Sequence, residues 1–464
     1  MPAPETLGPR VALHLLSRAG YGPRPGEIAS VLDQGLTKWI EEQLEPGADP
    51  ELDTRLARYP TLAYPTSQVL ALYNADNRTI GVILDEFMSA KVVRAVHGRN
   101  QLQEVLVDFW FNHFNVFVND GFDRYAISSY ERDAIRPYVL SSFRELLGKA
   151  TLHPAMLYYL DNYLNTIQRG INENHGRELL ELHTVGVDAG YSQADVIEAS
   201  RCLTGHGIDN IGSSGNYLYR PAGHDNGSKQ VFGLSLPSGG GEGDATRLLD
   251  HLAAHPATAQ FISRRLAQRF VSDDPPPALV ARLADVFLRT GGDLREVMKA
   301  LFGSAEFWAE AFGSGKPRTG FEYVVGALRA VGAEVTNPRA ARTAISDTGM
   351  PLYACNPPTG YSNRGADWLN PSAQLYRMNF ALDLAAGAFT ATGISADIAG
   401  LVRSGGGDPA SPASAAEAVN RVVFGRTLTP ASLSAAARVS TSSSVPVHAR
   451  VVGLLLAGPE MQVR

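Results

Sequence analysis

Glu104-Val105-Leu106-Val107-Asp108-Phe109-Trp110-Phe111-Asn112-His113-Phe114-Asn115-Val116-Phe117 is the stretch that decides the fold. Wound as an α-helix, it gathers Glu104, Asp108, Asn112 and Asn115 into a stripe about 80° wide. Phe109, Trp110, Phe111, Phe114 and Phe117 surround that stripe. A helix that is apolar around most of its circumference belongs in the interior of a large protein. Its narrow polar stripe must then find partners, because a buried carboxylate or amide without hydrogen bonds is costly. The helix that starts near Asn172 is the expected partner.

Helical periodicity continues on both sides. Residues 8–45 read as two helices broken at Gly20, Gly22 and Pro25, and 83–118, 131–149, 153–163, 172–187 and 192–203 follow. Between 204 and 243 the chain turns to Gly, Ser and Asn, with alternating Tyr217 and Tyr219 and a second short run at 230–234, which predicts a β-hairpin inside a long loop. Loops of that length tend to be functional. Helical spacing resumes at 244–272, 276–290, 293–312, 319–332, 372–389 and 413–425, around a second irregular stretch at 350–371. The expected fold class is mainly α: a large multi-helix, bundle-like fold with one glycine-rich β-hairpin insertion. The expected division is a helical domain over 1–403 and a linker with a small helical tail over 404–464. Within the first, leading helices occupy 8–45, the core 83–203, the hairpin insertion 204–243 and a second helical layer 244–390.

The chain has 464 residues, 44% hydrophobic and 19% charged, with a formal charge of -6. These values suit a globular protein and, without a dense basic block, exclude a nucleic-acid partner held through phosphates. Cys202 and Cys355 are far apart, which excludes a thiolate zinc site and leaves one disulfide open. No apolar run reaches the roughly 18 residues of a spanning helix, so no membrane insertion is expected. The leading residues lack a basic segment followed by an apolar run. The chain as it stands therefore reads as cytoplasmic, and as periplasmic or secreted if an export signal has been removed.

Residues 172–183, Asn-Glu-Asn-His-Gly-Arg-Glu-Leu-Leu-Glu-Leu-His, carry the most chemistry. In a helix Glu173, Asn174, Arg177, Glu178 and Glu181 share an arc of about 140°, with Leu179, Leu180, Leu182 and His183 opposite. Glu181 and His183 then point apart. A solvated face with a Glu173 to Arg177 ion pair is the plain reading of that arc. The functional reading makes Glu173 and Glu178 an acid/base pair, with Arg177 favouring one ionised carboxylate while burial raises the pKa of the other. His224 and Asp225 in the hairpin loop form a second catalytic pair, against an Asx turn at 225–227. Asn112, Asn174, Asp161, Tyr361 and Trp368 are candidate substrate contacts, although Asp161 equally ends a helix. His113 and His183 read as core histidines.

Gly-x-Ser-x-Gly, His-Glu-x-x-His, phosphate-binding and dinucleotide signatures are missing, and those enzyme classes lose their prior. Three readings remain. A hydrolase-like enzyme would use the carboxylate cleft, with a glycan as substrate. A metal protein, with a divalent metal as the candidate cofactor, would use Glu173, Glu178, Glu181 and Asp108, with His113 or His224 as a further ligand. A non-catalytic helical scaffold would use the polar arcs to specify packing.

Several segments resemble one family over nearly the whole length: residues 14–22 (His-Leu-Leu-Ser-Arg-Ala-Gly-Tyr-Gly), 109–114 (Phe-Trp-Phe-Asn-His-Phe), 159–162, 172–182, Thr204-Gly205, His224-Asp225, 304–308 (Ser-Ala-Glu-Phe-Trp), Pro357-Pro358 with Gly360, and 456–464. The chain resembles the bacterial "domain of unknown function 1800" family. That resemblance implies a fold and an approximate site but assigns no reaction. It also implies frequent export and a sulfatase-like partner encoded nearby. Where the family usually has tryptophans, this chain has His206 and Tyr361, which keep a ring and change its hydrogen bonding.

Overall fold

Leu102, Val105, Leu106, Phe109 and Trp110 are each at most 1% exposed, so the helix Gln101–His113 runs through the interior as its composition requires. The computed structural model describes residues 8–464. Residues 1–7, the start of the expected 1–403 unit and of the segment read for an export signal, lie outside the described residues. The described residues form 25 α-helices and three two-stranded antiparallel pairs, a mainly α fold. Among them no helix is long and apolar enough to cross a membrane.

Helix ends follow local chemistry, and several expected helices are divided by it. The 244–272 stretch is two helices, Gly243–Ala254 and Pro256–Phe270, because His255 accepts from the Ala257 N–H and Pro256 occupies the first turn. The 293–312 stretch breaks at Ser304, whose hydroxyl caps Ala305–Ala309 by accepting from the Phe307 N–H. The leading segment holds three helices, Pro9–Arg18, Glu27–Gln34 and Leu36–Leu44, with Gly35 at φ +93 between the last two. The 172–187 stretch is an α-helix, Asn174–Glu178, that widens into a π-helical turn over Leu179–His183.

The glycine-rich segment holds two hairpins. His206–Ile208 pairs with Tyr217–Tyr219, and Lys229–Val231 with Leu234–Leu236. The second turns at Phe232 and Gly233, both at positive φ, as a two-residue turn between twisted strands demands.

Contacts between distant parts of the chain close the fold. One continuous hydrophobic cluster runs from Val11 to Met461. The helix Val447–Ala457 packs along Pro371–Ala385, where Gly453 permits an approach in which an added Cβ would stand 3.2 Å from the Leu382 Cα. The last residues pair with an internal segment: Lys316 N–H donates to Arg464 O (2.9 Å), Arg464 N–H to Lys316 O (2.8 Å) and Arg318 N–H to Gln462 O (2.8 Å). At the other end, His14 Nε2 lies 2.9 Å from Phe307 O and Arg18 donates to Val271 O at 2.7 Å.

Candidate functional site

The polar stripe of Gln101–His113 is fully engaged, but not by the helix at 174–183. Arg136 clamps Glu104 with two bonds of 2.7 and 3.0 Å and reaches Glu131 at 3.0 Å. The Tyr353 hydroxyl donates to Glu131 at 2.5 Å. Lys91 pairs with Asp108 at 2.6 Å while its ammonium sits 4.6 Å from the Tyr353 ring centre. Burial pushes the Glu131 carboxyl up, but Arg136, Lys91 and Arg94 together outweigh it and hold it below its ordinary value. The physical reason for the change of partner is charge: the one arginine of the 174–183 segment, Arg177, is taken by Glu173 and Glu181, whereas buried carboxylates require cations.

Asn112 and Asn115 fasten the 350–371 loop. Asn112 Oδ1 accepts from the Tyr361 N–H at 3.2 Å, and Asn115 donates to Cys355 O and Pro357 O at 2.9 Å each. Gly360, at φ +67, lies so close to the helix that a Cβ would stand 2.1 Å from Asn112 O. We therefore expect Gly360→Ala to lose about 2–4 kcal/mol from combined strain and overlap with backbone. A denaturant midpoint equal to that of the parent would remove this account of the loop. The two expected ligand-contacting rings are used within the loop itself: the Tyr361 hydroxyl donates to Pro351 O (2.6 Å) and Trp368 Nε1 to Ser362 O (3.0 Å). Beneath them is a polar cavity of about 20 Å³ lined by Asp108, Asn112, Arg269, Lys316, Glu322 and Tyr361 among others. That is room for about one water. Lys316 is pulled down to about 8 by burial and by Arg464, against the pull of Asp273.

The acidic arc lies at the surface. Glu173 accepts from Arg177 at 3.0 Å and from Gln193 at 2.6 Å, and Arg177 reaches Glu181 at 3.6 Å. Glu178 is half-buried, and burial together with the nearby Glu181 raises its carboxyl pKa. Gly176 docks this helix on the Gln193–Cys202 helix: a Cβ there would stand 2.1 Å from the Ser200 hydroxyl. Asn172 closes the entry, its side-chain oxygen accepting from the Asn174 N–H at 3.0 Å. An open groove of about 580 Å³, lined by Leu164, Arg169, Gly170, Ile171, Asn172 and Glu173, runs alongside. Asp161 is exposed and left-handed (φ 57) at the end of the preceding helical segment.

His224 and Asp225 are not brought to that groove. His224 is buried, with Nδ1 2.8 Å from Thr204 O and Nε2 3.3 Å from Asp244. Asp244 also takes Lys229 (2.6 Å) and Arg247 (2.9 Å), so this cluster is a closed set of ion pairs. Asp225 is held by Arg201 at 2.8 and 3.0 Å, which depresses its carboxyl to about 2, and it accepts from the Gly227 N–H in the expected Asx turn. The pair expected in this loop is therefore held in a cluster of its own, apart from the groove. Sequence reasoning missed Asp244 and Arg201, whose only local signals are an acid in a first helical turn and a base in a last one.

His113, His175, His183 and His206 are buried at 1% exposure or less, as expected of the first and third. His113 Nε2 lies 3.1 Å from His183 O, and the two rings are 6.2 Å apart. Neither nitrogen of His175 or His183 meets a protein partner. Burial depresses His175 and His183 to about 3 and His206 to about 4. The three metal candidates do not converge: Asp108 pairs with Lys91, His113 sits in the core and Glu181 faces Arg177 at the surface. Among the described residues no three His, Cys, Asp or Glu side chains group as a metal site. Both cysteines are buried and free.

No curated protein and no solved structure matches the chain significantly. A family model does, over residues 14–463, reaching from the first quoted segment to the last. By that match the chain belongs to the family described as Protein of unknown function (DUF1800).

Proposed function

We propose that this protein is a hydrolase-like enzyme whose acid/base pair, Glu173 and Glu178, stands at the start of the 174–183 helix, next to the open groove, with a glycan as the substrate class. The observation that carries the reading is the raised carboxyl of Glu178, five residues along the same segment from the groove-lining Glu173. Glu178 is half-buried with its pKa raised by burial and Glu181, and it serves as the proton donor. Glu173 is fixed by Arg177 and Gln193 at the lip of the groove and serves as the base. Asn172, Asn174 and Arg169 supply the amide and guanidinium donors that hydroxyl-rich substrates require. Asp108, Tyr361 and Trp368 have no part in this version, being engaged elsewhere.

The experiment is hydrolysis of a panel of aryl glycosides and oligosaccharides by the full chain. Glu178→Gln should lower turnover about 10²–10⁴-fold with an unchanged melting temperature. Full activity in the double Glu173→Gln, Glu178→Gln variant, or no cleavage across the panel, sinks the proposal.

A second reading is favoured by a different observation. The helix Pro371–Ala385 exposes Leu375, Tyr376, Met378 and Leu382, each more than 40% accessible, and Leu369 and Leu454 are exposed as well. A contiguous exposed apolar stripe marks an interaction surface. In that reading the chain is a non-catalytic scaffold that docks a protein partner, the sulfatase-like class implied by the family resemblance. The closed networks around Glu104, Asp108 and Asp244 then serve only to fix the packing.

A further inference from the structure

Arg10, Arg318 and Arg464 line a different cavity. About 310 Å³ is enclosed by the helix Pro9–Arg18, the 310–315 turn, the helix Gly320–Ala330, residues 423–429 and the terminal segment. That size is at the lower end of small-molecule sites. Leu13, Ala330, Val423, Phe424 and Met461 make one wall apolar, and Arg318 and Arg464 supply the opposite side.

Charge decides what this cavity suits. Arg18, Arg269, Arg318, Arg377 and Arg464 are all buried. Among the described residues, the carboxylates in ion-pair reach of them are Glu310, 3.8 Å from Arg18, and Glu322, shared between Arg269 (2.7 Å) and Arg464 (3.0 Å). Among the described residues, Arg318, 4% exposed, has no carboxylate within ion-pair reach, Glu322 acting on it only from further away. Its Nε donates to Val463 O at 2.9 Å and its Nη1 makes only long contacts of 3.5 Å to Tyr21 O and Glu322 O. Of the other charged groups on the cavity, Arg10 donates to Ala311 O and lies over the Phe312 ring, and Glu460 is taken up by the Thr429 N–H and Ser432. His14 is neutral, depressed to about 3 by burial and by Arg18. A buried cation without a counter-ion is strongly unfavourable. The cavity therefore sets an arginine without a close carboxylate opposite an apolar wall.

We propose that this cavity binds a small organic carboxylate with an apolar body, its carboxylate on Arg318 and its body against Leu13, Val423 and Phe424. The cavity shares no residue with the groove beside Glu173, so either can hold its ligand without the other.

Calorimetric titration of the full chain with octanoate tests it, with octan-1-ol and acetate as the two halves of the ligand. Octanoate should bind saturably, and each half should bind about tenfold or more weakly, since each lacks either the charge-assisted bonds or the apolar burial. Arg318→Met should abolish the preference for octanoate over octan-1-ol. Because Arg318 also ties backbone, Leu13→Trp provides a second test: the half-buried Leu13 wall tolerates a larger ring, which should block octanoate while the melting temperature stays unchanged. Glu178→Gln should leave binding as it is. No saturable octanoate binding, equal binding of octan-1-ol or acetate, or unaltered octanoate binding in Leu13→Trp overturns the proposal.

Discussion

Lowering the pH from 7 to 4 is expected to unfold this protein. Five fully interior histidines, His14, His113, His175, His183 and His206, are depressed by burial: His14, His175 and His183 to about 3, His206 to about 4 and His113 well below its ordinary value. In the unfolded chain each accepts a proton near pH 6.5. A group whose folded value is depressed contributes stability that is complete above the unfolded value and fades as the pH falls toward the folded one. The window is therefore from about 6.5 down to about 3. At pH 5 each imidazole forfeits about 2 kcal/mol, and the five together about 10 kcal/mol. Total stability is only about 5–15 kcal/mol. Circular dichroism and tryptophan fluorescence against pH should show one cooperative loss between about pH 6 and 4. A fold intact at pH 4 would mean that protons reach these rings without unfolding.

Arg136→Met is the substitution with the largest expected effect on stability at neutral pH. It strands Glu104 and Glu131, 7% and 2% exposed, where among the described residues no other cation comes within ion-pair distance of either, Lys91 and Arg94 acting on Glu131 from further away. Breaking a buried pair on one side costs about 3–5 kcal/mol. The triple change Glu104→Gln, Glu131→Gln, Arg136→Met removes the charges together and should recover most of that loss. Urea unfolding with an unchanged slope measures both. A loss below about 1 kcal/mol for the single change would show that the clamp is solvated, as surface pairs are.

Burial of residues 104–117 and the existence of their polar stripe were legible because a 3.6-residue period acts within one turn or two. The stripe's partners were not. Lys91 and Arg136 lie in segments whose periodicity marks them as helical, and nothing local tells a base that reaches inward from one that reaches water. The Asx turn at Asp225 was legible for the same reason that Asp244 was not: one bond spans two residues, the other joins two elements. The turn Gly360 makes against Asn112 joins segments nearly 250 residues apart, and no local pattern announces it. The cavity around Arg318 gathers pieces from the beginning, middle and end of the chain. His14, Ser17 and Gly22 were noticed as a segment without any sign of what they face.

The pairing of 462–464 with 316–318 and the docking of the first helix on Phe307 and Val271 govern how the molecule comes into being. His14 waits for an acceptor 293 positions further on, Arg18 for one 253 positions further on. During synthesis the helix Pro9–Arg18 meets its neighbour Glu27–Gln34 early but its acceptors at Phe307 and Val271 much later, and the side that faces them remains a target for holding chaperones. Maturation then hinges on a late closure step rather than on piecewise assembly, the slow regime expected when the bonds that lock a chain are its most distant ones.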